Sequence, residues 1–159
     1  YAMCYSAGNQ RLGEILGKGA KEGKELRERF YEANPAFPTL LRQVKAAAQR
    51  GYLYGLDGRK LHLRSEHGAL NLLLQSCAAL IAKRWVWLVD QAIKNEQLDA
   101  EIIAFVHDEI QLKIRGTENE RNHIARRCTE CAKEAGEYFK IKIPIDAEYK
   151  IGHTWADCH

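Results

Sequence analysis

The sequence predicts an α+β fold in which helices dominate and the sheet is small and antiparallel. Three observations carry this expectation. Apolar residues recur at helical spacing over 9–49, 65–95 and 117–138. Two segments, 52–63 and 102–114, place β-prone residues on either side of a tight polar centre, and a last β-like run at 143–151 precedes the tail. Of 159 residues 46% are hydrophobic and 28% charged, with only three prolines, so the chain has material for a core and lacks the composition of a disordered segment.

The elements follow in order. Residues 9–33 read as one or two helices broken near Gly17 and Gly19 and stopped before Asn34-Pro35. A third helix is expected over 37–49, where Leu40, Leu41, Val44 and Ala48 share a face. The next segment, 52–63, reads as a hairpin turned by Asp57-Gly58, a pair suited to the positive backbone angles of a two-residue loop. Ser65 then stands where a long helix to residue 95 needs a cap. Segment 102–114 forms two strands, the first wholly apolar as for a buried strand, the second alternating as for one with a wetter face. Thr117 with Glu120 makes a capping box for a helix ending near Tyr138, and a strand over 143–151 closes the series.

Charge is unevenly spread. Through Arg64 there are 12 Lys and Arg against 6 Asp and Glu; the totals of 24 and 21 leave 12 against 15 for the rest. A basic first part suits phosphate tracking, although the Glu residues interleaved with Lys and Arg over 18–28 equally suit a solvated helix face. The longest uncharged run, 68–82, falls short of the roughly 20 residues that a membrane span requires, so no membrane partner and a cytoplasmic location are expected. Five cysteines form no disulfide-framework pattern. Cys128 and Cys131 have CxxC spacing inside a helical stretch, and with His123 they leave open a thiol-metal reading.

The most informative segment is 102–114, whose centre holds His107, Asp108 and Glu109. Adjacent carboxylates on a stiff turn present hard oxygen ligands of the kind Mg²⁺ takes. Charged turns are ordinary, however, and taken alone this one reads first as a solvated hairpin tip. The uncharged stretch 68–82 must be nearly surrounded by protein or by a large partner. Within and before it, Arg64, His67, Asn71 and Gln75 recur at spacings of three, four and four, giving one polar stripe. Side-chain amides on such a stripe suit the purine N3 and pyrimidine O2 acceptors that every base pair shows in the minor groove, and suit an internal hydrogen-bond network equally well.

The run from Gly55 to His67, its continuation through Ala69-Leu70-Asn71 and Leu73-Leu74-Gln75-Ser76, the His107-Asp108-Glu109 turn and the ending Trp155-Ala156-Asp157-Cys158-His159 together resemble the family A replicative DNA polymerases of T-odd podophages. The likeness runs the length of the chain, with a shorter segment around 46–51. It implies partial fingers helices over 1–50 and part of the palm over 51–159, the His107 turn being palm motif C. It further implies that Tyr1 gates the deoxyribose of the incoming dNTP and that Tyr5 stacks near the templating base, with Gly8 close by. Ser6 stands where the family commonly has glycine. Arg64, His67, Asn71 and Gln75 would lie along the minor groove of primer-template DNA, and His107 would hold the primer end. Asp108, supported by Glu109, would be a metal ligand and catalytic residue.

The resemblance also implies a second metal-binding aspartate on an earlier palm strand, and an arginine and a lysine that grip the triphosphate, all before Tyr1. The two-metal Mg²⁺ site is therefore expected to be completed outside these residues, with the N-terminal portion of the polymerase as partner, a processivity factor as a further one, and no primer extension by this polypeptide alone. A chain beginning at Tyr1 fits an engineered piece, a processed product or one part of a split enzyme. The alternative is a non-catalytic DNA-binding or structural module derived from the polymerase fold.

Overall fold

The computed structural model describes residues 2–5 and 7–158. Two compact units divide the chain, Tyr1–Cys77 and Ala78–His159.

In the first unit, helices α1 (Asn9–Ile15) and α2 (Ala20–Ala33) are separated where Gly17 takes a positive φ of 66°. The two helices cross closely because they meet at glycines. A side-chain carbon on Gly13 would overlap the Gly19 carbonyl, and one on Gly23 would overlap that of Asn9. Helix α2 ends at Asn34, as its Asn-Pro stop requires, and Phe30 meets Phe37 of α3 (Ala36–Ala48) edge to face with ring centroids 5.2 Å apart. Val44 and Ala48 of α3 pack with Leu53 of strand β1 (Tyr52–Tyr54) and with Ala69 and Leu70 at the start of helix α4 (Ala69–Asn95).

Strand β1 pairs antiparallel with β2 (Lys60–His62), Leu53 opposite Leu61. The connection is not the two-residue turn expected from Asp57-Gly58. It occupies 55–59, with the Gly58 N–H on the Gly55 carbonyl and only Gly58 at positive φ. The cause lies in Asp57, whose carboxylate accepts from the Arg59 backbone N–H at 3.2 Å and pairs with its guanidinium. That side-chain bond favours a wider turn. Ser65 likewise departs from expectation, since it makes no capping hydrogen bond. The helix opens instead with a 3-10 turn at Glu66–Gly68.

In the second unit, the later part of α4, the hairpin of β3 (Ala100–Val106) and β4 (Glu109–Ile114), and helix α5 (Glu118–Tyr138) enclose one core. Val89, Ala92, Ala100, Ile124, Cys128 and Cys131 form its centre, and Ile102, Ile110, Leu112 and Ile114 pack on it from the strands. The Trp85 indole N–H donates to the Cys128 carbonyl at 2.7 Å, and Arg127 joins Glu96 and Glu134, each at 2.8 Å. The Trp85 bond fastens α4 to α5, the Arg127–Glu96 bond ties the end of α4 to α5, and Glu134, on α5 itself, steadies Arg127. Thr117 caps α5 as expected, its hydroxyl accepting from the Glu120 N–H while the Glu120 carboxylate accepts from the Thr117 N–H at 2.7 Å.

Two expectations fail here. Strand β3 is not buried on both faces; it alternates, with Ile103 65% exposed, because only its Ile102 side meets the core. Ile103 is the extra residue of a bulge between Ile102 and Ala104. The strand expected at 143–151 is absent, and the segment runs as extended chain without ladder pairing. Pro144 removes one donor, and β4 has a strand on one edge only. The segment is anchored by side chains instead, the Tyr149 hydroxyl donating to the side-chain amide oxygen Oδ1 of Asn122 at 3.2 Å and Ile145 lying against Gly136 of α5. A short helix α6 (Trp155–Cys158) follows, its Asp157 accepting the N–H groups of His153 and Thr154.

Candidate active site

The β3–β4 hairpin closes with Val106 opposite Glu109, leaving His107 and Asp108 as a two-residue loop. His107 takes a φ of +57°. A non-glycine residue in this left-handed region is strained by about 1–3 kcal/mol, and such strain concentrates at functional sites. His107 and Asp108 are exposed and Glu109 half-buried. The turn opens onto a groove of about 630 Å³, floored by Ala125, Cys128 and Ala132 of α5. Asp108 and most of β4, from Glu109 to Leu112 with Ile114, line one wall, and residues 145–152 line another. The carboxylate pair thus stands at one end of an apolar-floored channel between two stretches of extended chain.

Asp108 and Glu109 are hard oxygen donors of the type a divalent cation takes. Among the described residues no group of three or more His, Cys, Asp and Glu gathers in ligating positions. The chemistry of the two donors fits part of a divalent-cation site. Cys128, Cys131 and His123 likewise do not gather as such a group among the described residues. Burial pushes the Cys128 thiol up to about 12 and the Cys131 thiol to about 11. Both side chains are enclosed in the core.

The candidate DNA-facing residues belong to the first unit. Asn71 and Gln75 lie one turn apart on α4. His67 lies in the 3-10 turn and Arg64 in the bend before it, so of the four only Asn71 and Gln75 are on α4 itself. Arg64, His67 and Gln75 are exposed and Asn71 half-buried. The Gln75 amide donates to the Tyr5 hydroxyl at 2.9 Å, which brings two of the predicted site residues together. Gly8 precedes α1 in extended conformation, with open space where a side-chain carbon would stand. Tyr1 and Ser6 lie outside the described residues.

The enclosure expected for 68–82 is not supplied by the described residues. Ala69 and Leu70 are buried, but Leu74 is 43% exposed, and Ala78 and Ala79 are exposed as well. By length and apolar composition alone, Glu66–Asn95 is able to cross a membrane, with 6% of its most apolar window buried.

The sequence profile of DNA polymerase family A matches residues 1–157. The chain belongs to that family. It is 36% identical to the DNA-directed DNA polymerase of Escherichia phage T7 and 35% identical to that of Enterobacteria phage T3, in each case over all of this chain and 25% of the relative. Identity to the DNA polymerase I of Bacillus caldotenax is 28%, over 99% of this chain and 19% of the relative. The chain thus spans about a quarter of the length of the phage relatives it matches. Among solved structures, the POL domain of Pol1 from M. smegmatis, in complex with DNA primer-template and dNTP, superposes with a TM-score of 0.76 at 28% identity, over 92% of this chain and 27% of that one. The polymerase profile runs through Glu66–Asn95, which gives its apolar stretch a place in this family.

Two features escaped sequence reasoning. The groove wall at 145–152 looked like a strand because its Ile residues alternate with polar ones, and only the missing ladder distinguishes the two. Arg84 is stacked between Trp87 and Tyr138, 4.1 Å and 4.0 Å from the ring centroids, an arrangement without a sequence signature.

Proposed function

We propose that this chain carries one part of the catalytic site for template-directed DNA synthesis, the transfer of a nucleotide from a dNTP to a primer 3′-hydroxyl. The reading assigns the helices of 1–50 to the fingers and 51–159 to the palm. Asp108 and Glu109 hold Mg²⁺ together with an aspartate from the upstream portion of the polymerase and with substrate phosphates. Mg²⁺ held there supplies charge for activating the attacking hydroxyl and for stabilising the leaving pyrophosphate. His107 positions the primer end, its strained turn fixing where the imidazole can reach. Asn71 and Gln75, with Arg64 and His67, contact the minor groove without reading sequence, because N3 and O2 acceptors are common to every correct pair. Tyr5 stacks near the templating base, Tyr1 gates the sugar, and open Gly8 allows close approach of the template strand. In a bacterial or phage-infected cell this activity belongs to the cytoplasm.

The observation that supports the reading most is the groove beside Asp108. Among the described residues strand β4 has a ladder partner on one edge only, and 145–151 has no ladder partner, although its residues alternate like a strand. An extended strand of the upstream portion lying between them would pair on both sides and end beside Asp108. The aspartate of that strand would then complete the carboxylate set, and 143–151 would gain the ladder that this chain by itself does not give it. Primer extension with Mg²⁺ provides the test. This chain alone should extend nothing, the chain joined to its upstream portion should extend, and extension by the isolated chain would refute the proposal. The rival reading of a non-catalytic DNA-binding module predicts that the joined protein binds primer-template without extending it.

A further inference from the structure

The bond between Gln75 and Tyr5 joins side chains 70 positions apart, and both are exposed. A long exposed side chain ordinarily averages over many rotamers, so a glutamine held by a distant partner is an oriented glutamine. Its amide has two N–H donors and a carbonyl. With one N–H on the Tyr5 hydroxyl, the plane of the amide is set, and the second N–H and the carbonyl point in fixed directions. Tyr5 is itself held, for the Ala7 N–H bonds the Ala2 carbonyl at 3.0 Å and the Arg27 guanidinium donates to the Ala7 carbonyl, tying this turn to α2.

We propose that Tyr5 is a positioning residue for Gln75, its hydroxyl orienting the amide so that the free N–H meets the minor-groove acceptor of the base pair beside it. The inference rests on the reading that Gln75 contacts the minor groove. It gives Tyr5 two separable roles, a ring that stacks and a hydroxyl that aims a neighbour. Minor-groove checking is then coupled to the template position: displacement of Tyr5 releases the Gln75 amide from its set orientation. A mismatched pair, which displaces the N3 or O2 acceptor, loses contact with an amide that is not free to follow it.

The experiment uses the whole polymerase that contains this chain and two primers, one with an ordinary terminal purine and one whose purine N3 is replaced by carbon. The parent should extend the ordinary primer about fivefold better, the equivalent of about 1 kcal/mol for one hydrogen bond. Tyr5→Phe keeps the ring, and it should slow the ordinary primer about fivefold and abolish the preference for N3. Gln75→Leu should do the same, and the double variant should be no slower than Gln75→Leu. Undiminished N3 preference in Tyr5→Phe, or losses that multiply in the double variant, would overturn the coupling while leaving Gln75 as a minor-groove contact. Retained N3 preference in Gln75→Leu would overturn that contact and the coupling with it. A parent polymerase without extension would overturn the function proposed above.

Discussion

Gly136→Ala should destabilise this protein even though it replaces glycine inside a helix. Such a change normally helps, by up to about 1 kcal/mol, because alanine has less backbone freedom to lose. At Gly136 the added carbon would lie 2.7 Å from Cγ1 and 3.0 Å from Cβ of Ile145, closer than carbon atoms pack. Ile145 belongs to the segment that walls the groove, and the two obstructing carbons sit next to its backbone rather than at the far end of the side chain, so relief requires the segment itself to shift. Overpacking of this kind costs about 1–3 kcal/mol. The net expectation is a loss of roughly 1 kcal/mol, from the difference between those two effects. In an Ile145→Gly background both obstructing carbons are gone, and Gly136→Ala should stabilise by up to about 1 kcal/mol. The pair is therefore coupled by about 2 kcal/mol, measurable from urea midpoints of the four proteins at constant slope. Stabilisation by Gly136→Ala in the otherwise unchanged protein would refute the packing argument.

Other expectations follow from the same geometry. Gly13→Ala should lower the urea midpoint more than Gly8→Ala does, because the first forces α1 and α2 apart and the second meets open space. A thiol reagent at pH 8 should react with half-buried Cys4, Cys77 and Cys158 but spare Cys128 and Cys131 until the protein unfolds, since burial holds those two thiols protonated. Bonds from the Thr117 hydroxyl and N–H hold the Glu120 carboxyl below its ordinary value, and the Thr154 and His153 N–H groups do the same for Asp157. A lowered folded-state value gives stability that is complete above the unfolded value and lost as pH falls through the folded one, so acid unfolding should begin below about pH 4.5. Thr117→Ala should flatten that acid slope, and an unchanged slope would count against the capping box as its source.

Helix positions were legible because their signals are local. Asn34-Pro35 stops α2, Gly17 breaks the first stretch, and Thr117 with Glu120 starts α5 where the box requires. The hairpin around His107 was legible for the same reason, a tight polar centre between β-prone arms. What failed depends on partners that no local pattern specifies. Residues 143–151 alternate as a strand should, yet a strand needs a neighbour to bond, and β4 has only β3. The apolar run of β3 suggested burial on both faces, and Ile103 stays open because nothing among the described residues covers that side. Asp57-Gly58 favoured a two-residue turn until the Asp57 carboxylate found Arg59, a side-chain bond that pattern alone does not weigh. Of the candidate site, the residue identities were legible, and the helical phase of Asn71 and Gln75 was correct. The bond from Gln75 to Tyr5 was not, because it joins distant parts of the chain.

The account turns on Asp108 acting in chemistry rather than in folding. It is an exposed residue in a two-residue loop, so Asp108→Ala should leave stability within about 0.5 kcal/mol of the parent. In the whole polymerase containing this chain, Mg²⁺-dependent primer extension should fall about a thousandfold or more while primer-template affinity stays near that of the parent. Extension by Asp108→Ala within tenfold of the parent rate, with the fold intact, would contradict the assignment of the catalytic carboxylate.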